Sequence, residues 1–289
     1  MPVIGTVSQL GRYPVKSMLG ETVDRLDVTS TGVVGDRVCA LIDQATGKVA
    51  SAKLPHRWRA MLAFASRAST EVDDRGRPLI ELELPDGARV RSDRADIDEL
   101  LSAALGRAVT LAFARPAALE IERARPDEVA EWGVDAQVAH DTLVLGAAAP
   151  GGGFVDYAPV HLIASASLDR VAEATGADAP QPVRFRANMV VESMSATPFQ
   201  ENDWVGHDLH VGEEIVLKVI APTPRCAVPT LRHGDVPANT GVTREIGRLN
   251  RVEALGLGPA ACLGVYAEVL RGGVSRVGDA VRLERSDAS

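Results

Sequence analysis

Cys226 closes the stretch PTPRC (222–226), after the apolar run EIVLKVI and before AVPTLRHGD. A packing cysteine normally sits inside an apolar run. This one follows Pro-Thr-Pro and stands beside Arg225. A cation next to a thiol favours the thiolate, which is both nucleophile and metal ligand. Four other short stretches carry polar groups of complementary chemistry. YPVKS (13–17) supplies Lys16 and Ser17, SAK (51–53) supplies Lys53, SAS (165–167) supplies Ser165 and Ser167, and FRAN (185–188) supplies Arg186 and Asn188. Lysine, arginine and helix-start amides suit a phosphate group. A thiolate suits a soft or high-valent transition metal. One kind of compound needs both: a metal on a phosphorylated organic scaffold.

Each residue also has a plainer role open to it. A free cysteine is often an inert core residue. Lys16 could be a solvated lysine, and Arg186 could pair with Glu192. Ser165 and Ser167 could simply cap the helix they begin. Asp203 and Trp204 fit a structural loop better than a substrate contact. Cys39 and Cys262 lie in apolar, strand-like stretches and are read as core. The six histidines show no metal-ligand spacing, and only His233, just after the thiol loop, is kept as a possible supporting group.

The elements that must position these residues are mostly strands. RVCALID (37–43) alternates Val38, Ala40 and Ile42 against Cys39 and Leu41, and LIELEL (79–84) alternates up to a Pro-Asp-Gly turn. The period then changes. Ser92 or Asp93 can cap a helix with Ile97, Leu100, Leu101, Ala104 and Leu105 on one face, stopped by Gly106. VTLAF (109–113) is a strand ending at Arg115-Pro116. Residues 116–153 have little pattern, the charged 119–132 stretch reads as a solvated face, and AAAPGGG (147–153) reads as a loop. VHLIAS (160–165) is a buried strand running into a helix that Gly176 ends. FRANMVVES (185–193) is a strand, 209–220 a hairpin around Gly212, and 243–252 a helix. LGVYAEVL (263–270) and DAVRL (279–283) are the last strands. The fold class expected is mainly β (α+β), with two β-barrel-like domains and accessory helices. The expected units are 1–115, a connecting segment 116–154, and 155–285.

The chain has 289 residues, enough for about two domains with a substantial core. Its net charge of −8 argues against nucleic acid as partner while leaving room for a local basic pocket. Three widely spaced cysteines imply no disulfide framework and are too few for a four-thiolate iron–sulfur cluster. There is no CxxC or HExxH, so a standard zinc site is not expected. No signal peptide and no apolar run long enough for a membrane span are seen, so a cytoplasmic protein without membrane contact is expected.

YPVKS, FRAN, PTPRC, LGVY and VGDAVRL together resemble the MOSC-domain family with its N-terminal β-barrel domain, over most of the chain. Among its members the chain looks similar to the mitochondrial amidoxime-reducing component and its bacterial counterparts. The resemblance implies a molybdenum–molybdopterin cofactor, with Cys226 as metal ligand and catalytic residue. It also implies that Lys16, Ser17, Arg186 and Arg225 hold the pterin and its phosphate, with Asn188 and Ser165 or Ser167 bonding the ring or phosphate. Two positions depart from the family: Lys53 stands where an arginine is usual, losing the planar fork, and Ala164 stands where a serine is usual. The implied reaction is reduction of an N-hydroxylated or N-oxygenated small-molecule substrate. No Gly-rich dinucleotide fingerprint is present, so electrons would come from an external reductase. Two other readings stay open: a cofactor carrier without turnover, and a metal-free thiol or persulfide enzyme.

Overall fold

Period-two alternation is clearest in IVLKVIAPTP, and the strand it makes, Ile215–Pro224, alternates buried and half-buried residues along its whole length. The computed structural model describes residues 1–115, 119–149, 152–256 and 258–286. Pro116, at the expected strand stop and the start of the 116–154 segment, lies outside the described residues, as do Pro150 and Gly151 of AAAPGGG.

Seven strands close on themselves in the order Val160–Ala164, Met189–Ser193, Val3–Arg12, Ala280–Glu284, Asp208–Val211, Ile215–Pro224 and Pro259–Arg271. Closure leaves no unpaired edge among them. The pairs are antiparallel except Val160–Ala164 with Met189–Ser193. That parallel pair needs a crossover, which the helix Ser165–Thr175 provides. Leu10, Leu162, Met189, Val191, Leu209, Leu217, Val219 and Val265 fill the interior, each stabilising by about 1.5–3 kcal/mol when fully buried. Trp204 of ENDW packs in the same core, while Asp203 is exposed. A second helix, Gly241–Leu249, packs with the first outside the barrel through Leu168, Val171, Val242 and Ile246.

The N-terminal strand belongs to this barrel, since Val3–Arg12 pairs with both Met189–Ser193 and Ala280–Glu284. The rest of the N-terminal half has its own core of Val15, Met18, Leu41, Trp58, Met61, Phe64, Ile80 and Leu101. Strands Ala65–Val72, Pro78–Glu83 and Arg89–Arg91 form one sheet, and Ala40–Asp43 pairs with Val109–Ala112. The protein is mainly β, with few helices, as expected.

Several local expectations change. Cys39, Ala40 and Leu41 are all buried, because both faces of that strand are covered. The helix expected over 243–252 ends at Leu249, and Arg251–Glu253 forms a strand against Pro259–Ala261. The FRAN residues precede the strand, which starts at Met189. The weakly patterned segment contains a hairpin, Glu120–Ala124 with His140–Val144, and a helix, Pro126–Trp132.

Candidate functional site

The two cores and the 120–144 hairpin meet at a cleft of about 450 Å³. Seven cationic side chains line it: Lys16, Arg37, Lys53, Arg123, Arg184, Arg186 and Arg225. Asp156 is its one carboxylate among the described residues. A chain of net charge −8 thus holds a positive concavity, whose low-dielectric walls concentrate the field on an anion.

Cys226 lines this cleft and is half-buried, directly after the Ile215–Pro224 strand. It packs beside Ala52, Leu62, Val228 and Leu231. Its carbonyl accepts a hydrogen bond from Thr243 Oγ1 at 3.2 Å. Cys39 and Cys262 are fully buried. Burial pushes the Cys39 thiol up, and the Cys262 thiol up to about 11, so neither offers a ready thiolate.

Arg225 is a strut. Its guanidinium donates to the carbonyls of Leu263 and Phe185 and to His161 Nε2 at 2.6 Å. His161 is buried, and burial followed by Arg225 and Arg37 holds its pKa well below the usual range. The imidazole is therefore neutral and accepts through Nε2. The ring fits because residue 264 is glycine. A Cβ there would lie 2.5 Å from the Leu162 carbonyl oxygen and 2.7 Å from His161 Nε2, at φ +75°.

Arg186, at φ 55°, plays a similar part for YPVKS. It donates to the carbonyls of Met18 and Val15 and lies 4.5 Å over the Tyr13 ring. Burial lowers its pKa to about 10, which leaves it charged at neutral pH. It does not pair with Glu192, which faces solvent. Ser17, at φ 65°, accepts from the Ala52 amide at 3.1 Å and lies 3.4 Å from Ser51 Oγ. The Asn188 amide bridges strands, accepting from the His161 N–H at 3.1 Å and donating to the Gly11 carbonyl at 3.3 Å.

Lys16 and Lys53 converge on Asp156, at 2.6 and 3.0 Å. Lys16 also donates to the Phe154 carbonyl at 2.9 Å. Burial lowers Lys16 to about 8, against the pull of Asp156. Burial raises Asp156, but the two lysines outweigh it and hold the carboxyl well below its usual range. Burial also lowers Lys53, yet Asp156 and then Cys226 reverse this and raise it.

Lys16, Ser17, Lys53, Arg186, Asn188, Arg225 and Cys226 all line the cleft, whereas Ser165 and Ser167 do not. Ser165 Oγ faces the Ser193 amide at 3.4 Å. Ser167 donates to buried Glu201 at 2.6 Å and accepts from the Phe199 amide at 2.7 Å. Ser167 thus ties the Ser165–Thr175 helix to residues 199–201 and Ser165 ties it to the end of the Met189–Ser193 strand, both outside the cleft. His233 is also outside the cleft, and burial takes it to about 4. Sequence reasoning did not single out Asp156, Arg37, Arg123, His161, Tyr266 or Thr223. Only Thr223 carried a signal: it falls on the inward phase of the alternating strand. It is buried, and its hydroxyl has no partner among the described residues.

A positive cleft between two β units, with a half-buried thiol in its wall, has the chemistry to suit an anionic ligand that a thiol can ligate. The family comparisons make the class specific. Residues 4–106 match the MOSC N-terminal beta barrel domain and residues 152–282 the MOSC domain. The chain belongs to the MOSC-domain family. MOSC domains occur in molybdenum-cofactor-binding sulfurase and oxidoreductase-like proteins. No curated protein matches the chain. Among solved structures, the YUAD protein from Bacillus subtilis is 10% identical with a TM-score of 0.43, over 98% of this chain and 97% of that one. YiiM from Geobacillus stearothermophilus is 16% identical with a TM-score of 0.33, over 44% of this chain and 55% of that one. No helix among the described residues is long and apolar enough to cross a membrane.

The residues present fit a molybdenum–molybdopterin group. The lysine pair suits a phosphate, the thiol suits the metal, and the unpartnered Thr223 hydroxyl awaits a polar partner.

Proposed function

We propose that the cleft binds the molybdenum–molybdopterin cofactor, with Cys226 as the protein's metal ligand. We infer further that the loaded protein is an oxidoreductase for N-hydroxylated or N-oxygenated small molecules, supplied with electrons by an external reductase. One observation carries the reading: the thiol of PTPRC and the cations of YPVKS, SAK and FRAN line one cleft. When bound, the cofactor supplies a redox metal with an exchangeable oxygen position.

The chain's own residues bind and orient. Lys16 and Lys53 hold the phosphate end, with Asp156 keeping both ammonium groups in place. Arg186 and Arg225 fix the loops bearing Lys16 and Cys226 through backbone carbonyls, and Tyr266 and Ile121 help to exclude water from the wall.

The test uses protein made in a cofactor-competent host. Molybdenum and pterin should copurify. A reduced viologen dye should drive reduction of amidoximes, hydroxylamines or N-oxides, whereas NADH should do so only with an added reductase. Turnover with NADH alone would contradict the external donor. Bound cofactor without dye-driven turnover would favour a carrier. A preparation free of molybdenum would favour a thiol or persulfide enzyme.

A further inference from the structure

The 120–144 hairpin brings to the cleft one group that the cofactor reading leaves unused. Its strands pair with Ile121 opposite Leu143 and Arg123 opposite Asp141. Residues two apart on a strand share a face, and Ile121, Arg123 and Leu143 all line the cleft. Glu122, on the other face, is held by Lys48 and Arg57. Six of the seven cleft cations have protein partners: carboxylates for Lys16, Arg37 and Lys53, backbone carbonyls for Arg184, Arg186 and Arg225. Arg123 has no ion pair and no hydrogen bond from its guanidinium among the described residues. Asp141, directly across, stands 3.9 Å from Arg125 instead.

Arg123 is half-buried, and its guanidinium keeps its donors free for a ligand. Its planar fork matches a carboxylate through two parallel hydrogen bonds. The surface beside it is apolar and open: Leu143 and Val144 are exposed hydrophobic residues that line the same cleft. Lys53 lines the same cleft, close enough to both Cys226 and Arg123 for each to act on its charge.

We propose that Arg123 determines substrate specificity by receiving the carboxylate of an amphipathic substrate, whose apolar body lies along Leu143 and Val144 while its reducible end points toward Cys226. The reaction at that end rests on the reductase reading; the carboxylate receptor does not.

The experiment compares an aryl amidoxime with its para-carboxylate derivative on cofactor-loaded wild type, Arg123→Gln and Arg123→Lys. Pterin and molybdenum contents should be equal in all three. In Arg123→Gln, kcat/KM for the carboxylate should fall about ten- to a hundredfold, mainly through KM, as expected for loss of a hydrogen bond between charged groups. The neutral amidoxime should be unaffected. Arg123→Lys should fall in between, because it keeps the charge and loses the fork. Calorimetric titration of the oxidised protein with the same two compounds reads binding without turnover. Preferential binding of the carboxylate, lost in Arg123→Gln, supports the receptor even if no form turns over, in which case only the reductase reading fails. Equal losses for both compounds, loss of pterin in Arg123→Gln, or no preference for the carboxylate in wild-type calorimetry would each overturn the proposal.

Discussion

Lys16 is where burial and binding pull in opposite directions. Burial brings its pKa to about 8 although Asp156 lies 2.6 Å away. The folded value is below the ordinary lysine value, so between about pH 8 and that ordinary value the unfolded chain binds more protons. This group therefore makes stability rise with pH across that window. The gain is muted, because the Asp156 side chain is 35% exposed and water screens the pair. Anion binding has the opposite sign, since it needs the charged ammonium. Retention of pterin through gel filtration should fall as the buffer rises through about pH 8, and the fall should disappear in Lys16→Arg, which stays charged. An unchanged pH profile in that variant would remove Lys16 from phosphate binding. At this scale the sequence pointed, through YPVKS, FRAN and PTPRC, to side chains that the fold brings to one cleft. It did not reveal that Arg186 and Arg225 already donate to backbone carbonyls, because such bonds leave no trace in residue type. Nor could it place Asp156 or His161, each a lone residue in no motif.

Between elements, the site depends on two close approaches. Gly264 lets the Pro259–Arg271 strand pass the His161 ring, and Asn188 links His161 to the Val3–Arg12 strand. Gly264→Ala would place a Cβ against a backbone carbonyl at positive φ, a strain of about 1–3 kcal/mol, and should lower the melting temperature by several degrees. An unchanged melting curve would show that the strand can shift. Asn188→Ala removes two buried hydrogen bonds and should cost about 1–3 kcal/mol in urea unfolding, with pterin occupancy falling as His161 loses its position. If stability drops while occupancy holds, Asn188 serves only the barrel. Elements with a clean period were legible: the Ile97–Leu105 helix ending at left-handed Gly106, and the hairpin around Gly212. The 120–144 hairpin was not. EIERA mixes charges on both faces, because Glu120 and Glu122 on one face pair with Lys48 while the other carries Ile121 into a small core and Arg123 into the cleft. Insertion of Val3–Arg12 between Met189–Ser193 and Ala280–Glu284 is a long-range pairing that no local pattern encodes.

For the whole molecule, the decisive feature is charge separation: net −8 overall, with seven cations gathered at one cleft. Composition revealed the first and not the second, since clustering depends on distant segments (16–53, 123, 184–186 and 225) meeting in space. A focused field of this kind steers anions at low salt and fades as the screening length shrinks from about 10 Å at 0.1 M to about 3 Å at 1 M. Reloading of cofactor-depleted protein should therefore slow with added sodium chloride; a rate independent of salt would mean the field does not guide the ligand. In the proposed function, Cys226 ligates the metal of a cofactor held in this cleft. Molybdenum-edge X-ray absorption of wild type and Cys226→Ser, each purified from a cofactor-competent host, tests it most directly and needs no turnover. Bound molybdenum is expected in both proteins, with one sulfur scatterer fewer in the serine variant and an oxygen in its place. Identical sulfur coordination in the two proteins, or wild type that carries no molybdenum, would contradict it.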